Sequence, residues 1–171
     1  MDLDALVSRI GNGNLEGALR AATQEICEAF KADRFTVYRA NAEGTHLLSI
    51  VQSGIESFGT VKVRIDSGRS VAGHVGATKK LVNIRDAYDD AELAPLNMAH
   101  KMFKAVDERT GFRTTQVLAA PVVSADGKVL GVIELLNRAD GRRFPSSCEA
   151  ELKDLCAALA PAFSKQTATA D

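Results

Sequence analysis

Residues 116–136 read QVLAAPVVSADGKVLGVIELL. Two apolar, β-rich runs, Gln116 to Val123 and Val129 to Leu136, flank Ser124-Ala125-Asp126-Gly127-Lys128. The Asp-Gly pair in that linker is a hairpin signal, so the stretch predicts two long antiparallel neighbours. Residues 60–65, TVKVRI, strengthen the case upstream: Val61, Val63 and Ile65 face one way, Thr60, Lys62 and Arg64 the other. One wet face is the mark of an antiparallel sheet. Arg34 to Ala40 and Thr45 to Val51 are two more short β-rich runs, joined by the turn Asn41-Ala42-Glu43-Gly44. A brief strand at Leu81-Val82-Asn83 completes a sheet of about six.

Helical periodicity bounds that sheet at both ends. Leu3, Leu6, Val7 and Ile10 form one buried stripe, which Gly11-Asn12-Gly13-Asn14 interrupts. Asn14 is placed to cap a second helix carrying Leu15, Leu19, Ala22, Ile26 and Phe30. The last helix shows Leu152, Leu155, Cys156, Leu159 and Phe163 on one face. Ser146 and Glu149 have capping-box spacing there, with Pro145 ahead of them. Ser70 predicts the cap of a short helix at Val71 to Val75. Residues 86–114 read as a long excursion with a helical piece near Leu96 to Val106. Helices at both ends of one sheet make an α+β layer fold.

The chain has 171 residues, enough for one domain, and 46% of them are hydrophobic. A formal net charge of -1 and the lack of a Lys/Arg run argue against nucleic acid as a partner. No unbroken apolar stretch reaches the roughly 18 residues of a membrane span, and MDLDALVSRI lacks a basic signal-peptide start. Three cysteines without CxxC spacing, Cys27, Cys148 and Cys156, favour a reducing, cytoplasmic setting over disulfides or structural zinc. Residues 1–13 read as an N-terminal helical segment, 14–166 as the domain, and 167–171 as a tail expected to fray.

Catalytic signals are missing. His46, His74 and His100 sit in different contexts, with no nucleophile motif or metal-ligand spacing beside them, and are read as surface or packing residues. Cys148, in the first turn of a helix that would lower its thiol pKa, is the one plausible reactive cysteine, and even it is read as inert. Glu134 stands in the apolar run Val132 to Leu136, on the face opposite Ile133 and Leu135, where a carboxylate is costly without a partner. It points either to a wet face or into a pocket. Thr110 and Thr114 flank a glycine turn, and their hydroxyls suit a polar ligand. The start of the Val71 helix is a seat for an anionic group.

Several blocks in order carry a family resemblance: residues 70–75 (SVAGHV), 82–88 (VNIRDAY), 106–114 (VDERTGFRT), 120–122 (APV) and 131–137 (GVIELLN). Together they resemble GAF domains, above all those of cyclic-nucleotide phosphodiesterases and bacterial adenylyl cyclases, over roughly residues 15–165. The resemblance implies a GAF/PAS-like fold, with the terminal helices on one sheet face and ligand-lid helices on the other. It implies a non-catalytic sensor for a small ligand, cAMP or cGMP, and no other cofactor or metal. By motif, Val71 and Ala72 approach phosphate and ribose, and Asp107, Thr110 and Thr114 line the pocket with Asn83. Glu134 rises from the floor, while Thr36, Gln52 and Ser53 approach the base.

Asn137, Arg138, Phe144 and Glu149 fall on the family's supporting motif, in which a cation pairs with an aspartate; here Cys148 stands in the aspartate's place. The resemblance further implies a homodimer through the terminal helices and an output domain in a larger signalling protein. Its alternatives are a purely structural or dimerising GAF domain, a reductase of free methionine sulfoxide using pocket cysteines, and a bilin or haem binder.

Overall fold

A computed structural model describes residues 1–11 and 14–167. Helices α1 (Leu3–Gly11), α2 (Leu15–Ala21) and α3 (Thr23–Phe30) lead into strands β1 (Ala32–Ala40), β2 (His46–Gln52) and β3 (Lys62–Arg64). After α4 (Val71–Thr78) and β4 (Val82–Ile84) come α5 (Asp90–Leu93) and α6 (His100–Thr110). The hairpin β5 (Val117–Val123) and β6 (Val129–Arg138) follows, and α7 (Ser146–Thr167) closes the chain. The strands form one six-stranded sheet in the order β3-β2-β1-β6-β5-β4, with every pairing antiparallel. This is the α+β architecture the sequence predicts.

Period-two alternation sorts the strand residues between two cores. Phe35, Val37, Ile133 and Leu135 point to the face covered by the terminal helices, where Ile26, Phe30, Leu152, Leu159 and Phe163 are buried. Each large side chain fully buried there contributes on the order of 1.5–3 kcal/mol. Val117, Ala119 and Val132 point the other way, against Val71, Val75 and Phe103 of the lid. Gly131 allows the closest contact in the first layer: a Cβ there would lie 2.3 Å from the Tyr38 carbonyl oxygen and 2.7 Å from the Phe163 ring. Pro121 is tolerated because β4 pairs only with the part of β5 from Val117 to Ala119, so its missing N–H faces an open edge.

Several local expectations change. The helix read from Asn14 onward breaks at Ala22 into α2 and α3, although its stripe from Leu15 to Phe30 is buried throughout. The strand at 60–65 shortens to Lys62–Arg64 while keeping its alternating exposure. The excursion helix begins at His100 and runs to Thr110, so Asp107 and Thr110 lie on α6 rather than in a loop. Ser146 is the first helical residue of α7, not its cap, and the Glu149 carboxylate is engaged elsewhere. Among the described residues no helix is long and apolar enough to cross a membrane. The tail from 168 to 171 lies outside the described residues.

Candidate functional site

Strand register builds the floor of a cavity. Thr36 on β1 is paired with Gln52 on one side and Glu134 on the other, so three polar side chains stand in one row on the lid face. Helix α4 closes one side. Its Ser70 cap accepts the Gly73 amide at 2.9 Å. Gly73 is required where α4 meets the chain after β3, because a Cβ would lie 2.3 Å from the Arg64 carbonyl oxygen. Helix α6 closes the opposite side with Met102, Phe103, Val106 and Thr110, and the 3-10 turn Glu56–Phe58 borders the rim. The cavity volume is about 180 Å³. Phe58 and Val106, both on this rim, are exposed large hydrophobic residues.

Glu134 is the one buried carboxylate on the floor. Loss of water pushes its pKa from 4.5 up to about 7, and a backbone hydrogen bond from Ala72 opposes the rise. Of the two readings left open by the sequence, the pocket is the one observed. Tyr38, two residues along β1 from Thr36, lines the same cavity, and its phenol is raised well above 10 by burial and by the nearby Glu134 charge. Arg69 and Arg109 are exposed and bring cationic charge to the rim.

Thr36, Gln52, Val71, Ala72, Thr110, Thr114 and Glu134 therefore converge on one cavity. Ser53, Asn83 and Asp107 lie outside its lining. The Ser53 hydroxyl turns back to accept the Phe35 amide at 2.8 Å. Asn83 points towards α7, donating to the Phe144 carbonyl at 2.8 Å and to Glu149 at 2.6 Å. Asp107 sits behind Thr114, accepting from its hydroxyl at 2.8 Å, its amide at 3.0 Å and the Tyr88 hydroxyl at 2.6 Å. Its role here is to orient Thr114.

The supporting motif is rearranged. Asn137 accepts the Thr115 amide at 2.7 Å and donates to the Arg113 carbonyl at 2.8 Å, fixing the segment that carries Thr114. Arg138 pairs with Asp140 at 3.1 Å, within its own loop, and not with Glu149. Its buried Nε has no hydrogen-bond partner. Phe144 is buried and caps the core beneath α7. Burial raises the Cys148 thiol, in line with the inert reading and against the lowering of a helix N-terminus; desolvation outweighs the pull of Arg138. None of the three cysteines lines the cavity, and burial raises Cys27 and Cys156 as well.

The histidines are packing and surface groups: His74 is buried with Ser67 3.2 Å away, and His100 pairs with Asp90 on the surface. Among the described residues no cluster of His, Cys, Asp or Glu could hold a metal ion. Tyr38, Arg69 and Arg109 were not singled out by sequence. Tyr38 was within reach of period-two alternation from Thr36, and the arginines adjoin Ser70 and Thr110.

The GAF domain family model matches residues 14–163. This chain belongs to the GAF domain family. As a GAF domain it is a sensory and regulatory module. Among curated proteins it is 28% identical over 148 residues to a probable 3',5'-cyclic phosphodiesterase of Caenorhabditis elegans, covering 82% of this chain and 18% of that protein. It is 30% identical over 80 residues to the cGMP-specific 3',5'-cyclic phosphodiesterase of Drosophila melanogaster, covering 47% of this chain and 6% of the fly protein. The GAF domain thus spans less than a fifth of either relative.

Among solved structures, the GAF domain of a phosphoenolpyruvate-protein phosphotransferase from Coxiella burnetii superposes with a TM-score of 0.76 at 21% identity, covering 98% of this chain and 93% of that one. The corresponding Acinetobacter domain gives 0.73 at 22% identity, covering 99% and 94%. A free methionine-R-sulfoxide reductase from Neisseria meningitidis, in complex with its substrate, gives 0.66 at 18% identity over 95% of this chain and 86% of that one. At these identities the likeness is one of fold.

Proposed function

We propose that this GAF domain is a regulatory sensor that binds a cyclic nucleotide, cAMP or cGMP, between its sheet and its lid. The observation that carries the reading is the single cavity on which Thr36, Gln52, Val71, Ala72, Thr110, Thr114 and Glu134 converge, with Arg69 and Arg109 at the rim. Apolar walls with a few directed polar groups and cations suit a purine attached to a phosphate. The relatives among cyclic-nucleotide phosphodiesterases support the same ligand class. A cavity volume of about 180 Å³ is below the roughly 300–1,000 Å³ of small-molecule pockets. In this reading α6 and the Glu56–Phe58 turn move outward to admit the nucleotide and then close over it.

That movement is the signal. Helix α7, packed along β5 and β6 on the reverse face, carries it to an output domain or to a second copy through paired terminal helices. The opposing reading is a structural or dimerising GAF domain with no nucleotide. The rearranged support favours it: Arg138 holds Asp140 instead of tying its loop to α7. Isothermal calorimetry with cAMP and cGMP separates the two. Saturable heat that Thr114→Ala weakens supports the sensor; no heat at high micromolar ligand leaves the structural reading.

A further inference from the structure

The direction of hydrogen bonds around Thr110 and Thr114 limits what they offer a ligand. A threonine hydroxyl has one proton and two lone pairs. The Thr114 hydroxyl donates its proton to Asp107 Oδ1 at 2.8 Å. The Thr110 hydroxyl donates to the Val106 carbonyl at 2.9 Å and lies 3.4 Å from the Phe112 amide as an acceptor. Both side chains line the cavity with their protons already committed. What the two hydroxyls have left to offer a ligand is lone pairs.

Asp107 fixes this polarity. Its Oδ2 receives two donors, the Tyr88 hydroxyl at 2.6 Å and the Thr114 amide at 3.0 Å, which leaves Oδ1 to hold the Thr114 proton. Arg113 stacks on the Tyr88 ring at 3.9 Å and steadies that partner. The α4 side is opposite in character. Ser70 spends a lone pair on the Gly73 amide and keeps its proton, and Arg69 can only donate. Donors thus come from Arg69 and Ser70 at the start of α4, and the Thr110–Thr114 pair supplies acceptors, with the neighbouring Arg109 exposed at the rim.

We propose that Thr110 and Thr114, held by Asp107, form an acceptor-only edge that selects a purine with an exocyclic amino group there over one with a carbonyl. The inference rests on the cyclic-nucleotide reading and names what the site requires of the base: an exocyclic amino group at this edge. A carbonyl oxygen at the same place would meet lone pairs and leave an acceptor buried without a donor.

The test uses cyclic AMP and cyclic IMP, which differ at the 6-position as amino against carbonyl, titrated into the intact domain. Wild type is expected to prefer cAMP by roughly tenfold or more, the loss expected from one unpaired buried polar group. Asp107→Asn supplies the reversal. Two donors converge on the Oδ2 position, so the amide must place its oxygen there and turn its NH2 towards the Thr114 hydroxyl. Thr114 then accepts, and its own proton is freed into the cavity. The preference is expected to shift towards cIMP by about tenfold.

Thr114→Ser, which keeps the hydroxyl, is expected to retain the wild-type preference, whereas Thr114→Val loses most of it. These two variants keep the test decisive if Asp107→Asn does not fold. Equal affinity of wild type for both nucleotides, or preference unchanged in Thr114→Val, overturns the inference and leaves cyclic-nucleotide binding intact. No binding of cAMP, cIMP or cGMP overturns both.

Discussion

The Asn83 side-chain amide donates to the Glu149 carboxylate at 2.6 Å, joining the edge strand β4 to the first turn of α7. The same nitrogen donates to the Phe144 carbonyl at 2.8 Å, so one side chain ties β4 both to α7 and to the segment that leads into it. Its place is structural, at the seam between the two layers. This contact explains why Glu149 does not fold back as a capping-box residue.

Removing that tie is predicted to cost stability. Asn83→Ala leaves the Phe144 carbonyl and a partly buried carboxylate without their donor, a loss of about 1–3 kcal/mol. Urea denaturation followed by circular dichroism would show it as a lowered midpoint with little change in slope. A variant as stable as wild type would show that the contact contributes nothing.

Glu134 predicts a specific pH dependence. Its pKa rises from 4.5 to about 7 on folding, because burial penalises the charge. The folded chain therefore holds this proton to higher pH than the unfolded chain, and stability falls as pH climbs from about 4.5 to about 7. The loss is roughly 3 kcal/mol once both states are ionised. Glu134→Gln should lack this component, so its stability relative to wild type should be greater at about pH 8 than at about pH 5. A difference between the two proteins that does not vary with pH would refute the assignment.

Gly131→Ala tests the packing of α7 on the sheet. The added Cβ meets the Tyr38 carbonyl oxygen at 2.3 Å and the Phe163 ring at 2.7 Å, and the first is backbone that cannot swing aside. Overpacking of this kind costs about 1–3 kcal/mol or more. Thermal unfolding of the variant should show a clear drop, and an unchanged midpoint would contradict the tight contact.

Cys148→Asp is predicted to stabilise the domain by about 1 kcal/mol. The carboxylate would sit in the first turn of α7, where an acid is favoured, and beside Arg138, whose buried Nε has no partner. Equilibrium unfolding in low and high salt would show the gain shrinking as charge is screened. A destabilised variant would mean that the apolar packing of Cys148 outweighs the missing pair.

The sequence by itself determined the layers. Alternation at 60–65, the paired runs at 116–136 and the helical stripes ending in Phe30 and Phe163 are local periodicities, and burial of one face follows from each without knowing its partners. It also supplied most of the cavity, because residues at period two on β1, β2 and β6 share a face wherever the strands pair. Tertiary structure alone decided the directions of the polar side chains. Asn83 turns to Glu149, and Asp107 turns to Thr114 and Tyr88. Each of those choices depends on which donors and acceptors from distant elements arrive beside it, and no spacing along the chain records that. The burial that lifts Glu134 to about 7 is of the same kind: the residue is visible in sequence, but its environment is made by α4 and α6 closing over the sheet.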